Sequence, residues 1–240
     1  MTHDNIELLK TGASFFGVTV TDDQVVLFDK YHRKLMEWNK KMNLTAITDE
    51  RDVVIKHFLD SLSVLPFFPD DTMSLVDVGT GAGFPGIPIK IVNKEMSVTL
   101  IDSLEKRIRF LDDVFKENSF EKIQLIHGRA EELSRRCAHR ECYDMGIARA
   151  VASLSVLSEY ILPFVRKGGF FISMKGSDIQ KELSEAESAI YILGGKIKKV
   201  HSFMLPVENS KRNIILIEKV RQTPTEYPRK SGKPTKSPLR

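Results

Sequence analysis

The chain lacks any apolar run near the roughly 20 residues that cross a bilayer, so no membrane contact is expected. Its start, Met1-Thr2-His3-Asp4-Asn5, lacks a basic region followed by an apolar stretch, so no secretory signal is expected. Cysteine is scarce: Cys137 and Cys142 stand among charged residues with no further Cys or His at ligand spacing. They are read as free thiols of a cytoplasmic protein, and no metal site is expected. No internal repeat occurs. What remains is a chain of 240 residues, 42% hydrophobic, enough for one large domain or a domain with an extension.

Acidic residues are nearly missing from the end of the chain. Residues 221–240 carry Arg221, Arg229, Lys230, Lys233, Lys236 and Arg240 against the single acid Glu226, a balance of +5 within a chain of net charge +4. The other 220 residues therefore come to −1. A basic, Pro- and Ser-rich tail suits a polyanion, because each cation near a phosphate releases a counterion. The same composition suits a solvated, disordered tail.

Periodicity divides the chain into an N-terminal helical extension over 1–70, a core over 71–220 and the basic tail over 221–240. Val25, Val26, Phe28, Tyr31, Leu35 and Trp38 recur at three- and four-residue steps, with Thr21 or Asp22 as cap. A further helix begins at Asp49 or Asp52 and carries Val53, Val54, His57, Phe58, Leu59 and Leu62. Pro66 and Pro69 end the helical region. From residue 74 short apolar runs at 74–78, 97–101, 122–126, 143–148 and 169–174 alternate with helical patterns at 84–92, 104–117, 129–136, 153–165 and 178–193. That alternation predicts an α/β fold, a parallel sheet with helices on both faces. The runs 196–203 and 212–220 have no room for a crossover helix between them and should pair antiparallel.

The segment Asp77-Val78-Gly79-Thr80-Gly81-Ala82-Gly83-Phe84-Pro85-Gly86 follows the first core strand. Glycine permits a tight turn and close approach of a ligand. The spacing Gly81-x-Gly83-x-x-Gly86 is the nicotinamide fingerprint, yet several cofactor classes use it. Three features favour S-adenosylmethionine. Asp77 precedes the glycines, where its carboxylate can face the cationic amino-acid end of that ligand. Pro85 removes a backbone donor where a pyrophosphate would sit. The terminal antiparallel pair differs from a dinucleotide fold, which continues in parallel. Asp102 follows the second strand, 21 residues beyond Gly81, and can accept both ribose hydroxyls. Asp102-Ser103-Leu104-Glu105 also resembles a capping box. Ala130 and Glu131 follow the third strand and can border an adenine, although an acid in a first helical turn is common.

The acceptor is narrowed by what is missing. No Asn-Pro-Pro-Tyr-like motif, the mark of amine methylation, follows the fourth strand, which reads Asp144-Met145-Gly146-Ile147-Ala148-Arg149-Ala150. Both cysteines precede that strand, so neither is placed as the nucleophile of C5-pyrimidine methylation. An acceptor with its own lone pair, such as guanine N7, remains.

The chain resembles the bacterial small-subunit ribosomal RNA guanine-N7 methyltransferase family, RsmG (GidB). The segments that carry the likeness are Asn43-Leu44-Thr45-Ala46-Ile47, His57-Phe58-Leu59-Asp60-Ser61-Leu62, Asp77 through Pro88, Ala148-Arg149-Ala150 and the run from Pro228 to Leu239. The resemblance implies a class I, Rossmann-like, S-adenosylmethionine-dependent methyltransferase with a mostly parallel seven-stranded sheet and an antiparallel last strand. It implies as substrate a guanine in the decoding-region loop of 16S rRNA, within an assembled or nearly assembled 30S subunit. A cytoplasmic monomer is expected. By the family pattern Gly79, Phe84, Ala130, Glu131 and Arg149 line the cofactor pocket; Asp77, Gly81 and Asp102 join them on the reasoning above.

Polar candidates then stand as alternatives. Arg149, at the carboxyl edge of the sheet, can hold the cofactor carboxylate or a phosphate, or form a surface ion pair. Lys175, on the same edge, can hold the guanine or a phosphate. His57, among apolar neighbours, is by default a core histidine, and the resemblance adds an active-site role. Asn43 can present its amide to a base or cap a helix. Arg33, Lys34, Lys40 and Lys41 can extend a basic face or merely be solvated. Phe84 can pack on the methionine part of the cofactor or belong to the core. Two rival readings of the whole are a nicotinamide-dependent oxidoreductase and an RNA-binding assembly factor without turnover.

Overall fold

The computed structural model describes residues 1–149, 152–176 and 179–239. Ala150, in one of the quoted segments, and Arg240 of the tail lie outside the described residues. Two helices open the chain, α1 (His3–Ser14) and α2 (Asp22–Asn39). Thr21 caps α2 in a complete capping box with Gln24. α3 (Glu50–Val53), capped by Asp49, runs through a π-helical stretch over Val54–Leu59 into α4 (Asp60–Leu62). The π stretch has no signature in hydropathy spacing, and it holds His57.

The core alternates β1 (Ser74–Val78), α5 (Gly86–Val92), β2 (Ser97–Asp102), α6 (Glu105–Asn118), β3 (Ile123–His127), α7 (Ala130–Leu133), β4 (Tyr143–Arg149), α8 (Leu154–Ile161), β5 (Val165–Lys175) and α9 (Gln180–Ile192). It ends with β6 (Gly195–Met204) and β7 (Lys211–Lys219). The seven strands lie in the order β3-β2-β1-β4-β5-β7-β6, with β7 antiparallel to both its neighbours and the other pairings parallel. This is the expected class I arrangement.

Successive strand residues face opposite sides. Leu75, Leu100, Ile147 and Ile214 pack on one face with α1, α2, α5 and α6. Val76, Ile101, Ala148 and Ile215 pack on the other with α8 and α9. The N-terminal helices thus complete a layer of the core. Phe28, Tyr31, Leu35 and Phe58 are fully buried within it, whereas Val26 points to solvent, against the expected apolar face.

Two helices are shorter than their patterns predict. α8 stops at Ile161 because Pro163 follows, and the apolar residues beyond it start β5 at Val165, four residues before the expected strand. The early pair Tyr143↔Val165 is separated from the rest by a register shift. α7 is a single turn.

The tail is docked, which its composition does not suggest. Arg135 donates to the carbonyls of Glu226 and Pro228, and Arg140 to those of Thr223 and Tyr227. Buried Lys219 donates to the carbonyls of Leu162 and Val165 and to Thr223, and burial brings its ammonium down to about 8. Arg229 forks onto Glu159, with Nε 2.9 Å from Oε1 and Nη2 2.6 Å from Oε2. Glu159 is fully enclosed. Past Gly232 the short α10 (Lys233–Lys236) leads to Leu239, whose carbonyl accepts from Ser155. Among the described residues no helix is long and apolar enough to cross a membrane.

Because Arg229 neutralises an enclosed carboxylate, Arg229→Ala should cost about 3 kcal/mol of stability. Urea unfolding at pH 7 measures it. A loss below about 1 kcal/mol, the scale of surface pairs, contradicts the assignment.

Candidate active site at the carboxyl edge of the sheet

The turn after β1 runs Gly79-Thr80-Gly81-Ala82-Gly83 with φ of 72°, 62° and 95° at its three glycines. At Gly81 an added Cβ would meet no protein atom closer than 4.0 Å, so the backbone there faces open space. Asp77 holds the turn from below. Its Oδ2 accepts from Thr80 Oγ1 at 2.7 Å and from the Gly86 amide at 2.9 Å. The carboxyl is fully buried, and that burial raises it to about 6. Asp77 therefore shapes the turn from the inside rather than lining the cleft, unlike its expected place facing a ligand. From above, Tyr31 of α2 donates its hydroxyl to the Ala82 carbonyl.

Asp102 closes the next strand and is 2% exposed. Its Oδ2 accepts from the Gly81 amide at 2.9 Å and from Arg107 at 3.1 Å; its Oδ1 accepts from the Leu104 amide at 2.9 Å. The capping box expected here does not form. The N-cap of α6 is Leu104, and the Asp102 carboxylate bonds the Gly81 and Leu104 amides rather than an amide within the helix. Val78, Gly79, Asp102, Ala130, Glu131 and Tyr160 border a cavity of about 120 Å³. Glu131 is buried there and accepts from the Gly232 amide at 3.0 Å, so the tail forms the outer rim on this side.

A second cavity, about 370 Å³, lies over the turn between Gly79–Ala82, Phe84, Arg107, Leu44, Thr45, His57 and Arg149. A third, about 360 Å³, lies beyond Arg149 and His57. Lys56, Asp60, Lys175, Arg212 and Asn213 are among its walls. The wall common to both is a compact stack. His57 lies 4.3 Å from Phe84 with rings 18° apart, and the Arg149 guanidinium sits 5.0 Å over the Phe84 ring. Arg149 donates to the Lys56 carbonyl at 3.1 Å, to Asp60 at 3.0 Å and to His57 Nδ1 at 3.1 Å.

An arginine can only donate, so His57 Nδ1 is the acceptor and Nε2 carries the proton, 2.9 Å from Thr45 Oγ1. Burial, helped by the Arg149 charge, depresses the imidazole to about 3.

A sequence profile of the family described as rRNA small subunit methyltransferase G matches residues 24–215. A ribosomal RNA small subunit methyltransferase G of Acetivibrio thermocellus is 54% identical over 97% of this chain and 96% of its own. One of Staphylococcus epidermidis is 49% identical over 98% of each. The chain belongs to the rRNA small subunit methyltransferase G family. In fold it is also like a SAM-dependent methyltransferase from Aquifex aeolicus, with TM-score 0.55 and 14% identity over 77% of this chain and 98% of the other.

The methyl donor in this family is S-adenosylmethionine, and the residues present fit it. The open backbone at Gly81, the carboxylate of Asp102 and the two cavities that meet at Gly79 form a cradle of suitable chemistry. Of the residues expected to bind it, Gly79, Gly81, Phe84, Asp102, Ala130, Glu131 and Arg149 are gathered along this edge.

The remaining candidates divide. Lys175 borders the third cavity, but its ammonium is 2.7 Å from Glu182 and 2.6 Å from the Ala152 carbonyl. Asn43 is exposed in the loop after α2 and borders none of these cavities; its neighbours Leu44 and Thr45 do. Arg33 pairs with Asp29 and Lys34 with Glu117, so the expected basic face of α2 is largely neutralised. Cys137 and Cys142 are exposed free thiols. Tyr31, Asp60, Arg107, Tyr160 and Arg212 escaped sequence reasoning. Only Asp60 stood in a quoted segment, and no spacing rule brings residues 60, 149 and 212 together.

The depressed imidazole has a definite consequence. Its stabilising effect is complete above 6.5, the ordinary imidazole value, and is lost as pH falls toward about 3. Nitrogen NMR at pH 5 should show His57 neutral with the proton on Nε2. A cationic ring at that pH contradicts the assignment.

Proposed function

We propose that this chain transfers the methyl group of S-adenosylmethionine to N7 of a guanine in the decoding-region loop of 16S rRNA. The observation that carries the reading is the shared wall. Arg149 and His57 border both the cavity over the glycine turn and the cavity beyond, so a donor in one and a base in the other meet at one place. Bound S-adenosylmethionine supplies a sulfonium methyl carbon open to direct displacement. The N7 lone pair attacks that carbon without prior loss of a proton, which suits a site whose histidine is neutral and already hydrogen-bonded.

The chain's part is placement. Asp102 accepts the ribose hydroxyls, Ala130 and Glu131 border the adenine, and Phe84 packs near the methionine portion. Asp77 acts through the turn it clamps. Arg149, with N–H groups left over, and Lys175 orient the carboxylate of the cofactor or the acceptor base. His57 fixes Arg149, and Asn43 meets the RNA at the rim.

The substrate in this reading is the 30S subunit or a late precursor, and the enzyme acts as a cytoplasmic monomer. Lys230, Lys233 and Lys236 are exposed on the docked tail and face RNA phosphates, whereas Arg229 is occupied by Glu159. Loop bases in RNA are unstacked and can be reached at their edges.

Tritium from labelled cofactor should appear as 7-methylguanine in small subunits from a strain lacking this protein. Binding of S-adenosylhomocysteine without label in either subunits or naked rRNA would sink the enzymatic reading. By calorimetry, Asp102→Ala should weaken S-adenosylhomocysteine binding about tenfold, the worth of hydrogen bonds to a charged group. Replacing Lys230, Lys233 and Lys236 by glutamine should lower RNA affinity and reduce the salt slope by up to about 2. Equal affinity across salt concentrations refutes the tail's part.

A further inference from the structure

The carboxylate assigned to the ribose is already full. A carboxylate oxygen offers two lone-pair positions. On Oδ2 of Asp102 both are used, one by the Gly81 amide at 2.9 Å and one by Arg107 Nη1 at 3.1 Å. On Oδ1 the Leu104 amide takes one at 2.9 Å, and Arg107 stands 3.5 Å from the same oxygen. Two ribose hydroxyls cannot both donate to this group while Arg107 is there. With Arg107 gone, one position opens on each oxygen.

The two amides cannot leave, because they belong to the glycine turn and to the entry of α6. Arg107 can. It lies in the first turn of α6 with its side chain 34% exposed, and Asp102 is its one acidic partner among the described residues. It also borders the cavity over the glycine turn, beside Thr45, His57 and Arg149.

We propose that Arg107 holds the place of the cofactor's ribose and, once displaced, becomes a ligand for a phosphate of the substrate RNA. The proposal rests on the reading of Asp102 as the ribose acceptor. In the free protein the Arg107 charge is neutralised by Asp102. In the loaded protein a guanidinium stands unpaired in the cleft that the RNA enters, and a planar fork matches a phosphate. Loading therefore raises RNA affinity, and by reciprocity RNA raises cofactor affinity. The free protein pays for this arrangement in cofactor affinity, which is reduced by the fraction of molecules whose Asp102 is free. A partly exposed ion pair makes that reduction about fivefold.

The test uses the full chain, S-adenosylhomocysteine as a neutral probe, and small subunits from a strain lacking this protein. Calorimetry should find Arg107→Met binding the probe about fivefold more tightly than the natural chain, with Arg107→Lys shifted in the same direction by less. The probe should strengthen subunit binding several-fold for the natural chain and not for Arg107→Met. Equal or weaker probe binding by Arg107→Met, at an unchanged melting temperature, overturns the place-holder role. Coupling that survives in Arg107→Met overturns the phosphate role. If the natural chain binds no probe, the reading of Asp102 itself falls, and the proposal with it.

Discussion

One oxygen atom sets the shape on which the cleft depends. Oδ2 of Asp77 accepts from Thr80, within the glycine turn, and from the Gly86 amide, which starts α5. A hydrogen bond to a carboxylate is among the stronger ones available in a protein, and here it lies in an apolar interior. The cost is visible in the raised Asp77 carboxyl, which burial brings to about 6. In return the turn keeps left-handed φ values at three glycines and leaves the Gly81 backbone open toward the cleft. Gly86 cannot be replaced cheaply either, since a Cβ would stand 2.3 Å from Leu100 and 2.9 Å from that same oxygen.

The second constraint joins the N-terminal helices to the sheet. Arg149 ends β4 and reaches the Lys56 carbonyl, His57 and Asp60, all on the π and α4 turns. Asp60 also accepts from Arg212 at the start of β7. Two guanidinium groups that would repel one another are held by one carboxylate, and Phe84 lies under one of them. The helices are thus a wall of the site as well as a layer of the core, which explains why the residues between the two large cavities come from regions about 90 positions apart in the chain.

The tail shows how the same residues change meaning once partners exist. Six cations and several prolines read as solvated chain when only composition is weighed. Arg135 and Arg140 of the core supply donors for the tail's carbonyls, and Glu159 and Glu131 supply acceptors for its amides. A chain with few apolar groups can be ordered in this way because side chains of the core supply hydrogen-bond partners to much of its backbone. Lys230, Lys233 and Lys236, beyond Arg229, stay exposed on the docked tail.

How much was legible followed from range. The strand and helix alternation, the antiparallel end, the cap at Thr21 and the glycine turn all rest on residues within a few positions of each other, and local sterics and hydropathy decide them. The likeness to the family added the site residues it shares. Asp102 stands beside the glycine turn because it ends β2, whose carboxyl end lies at the same edge of the sheet as that of β1. Its carboxylate bonds the Leu104 amide, two positions on, as well as the Gly81 amide, 21 positions back, and the helix starts only after Leu104. The inward turn of Asp77, the π stretch, the pairing of Arg149 with residues 56, 57 and 60, and the seat of Arg229 required the packed chain. Each is a contest between partners distant in sequence for one buried polar group, and only tertiary structure brings the contestants within hydrogen-bonding distance.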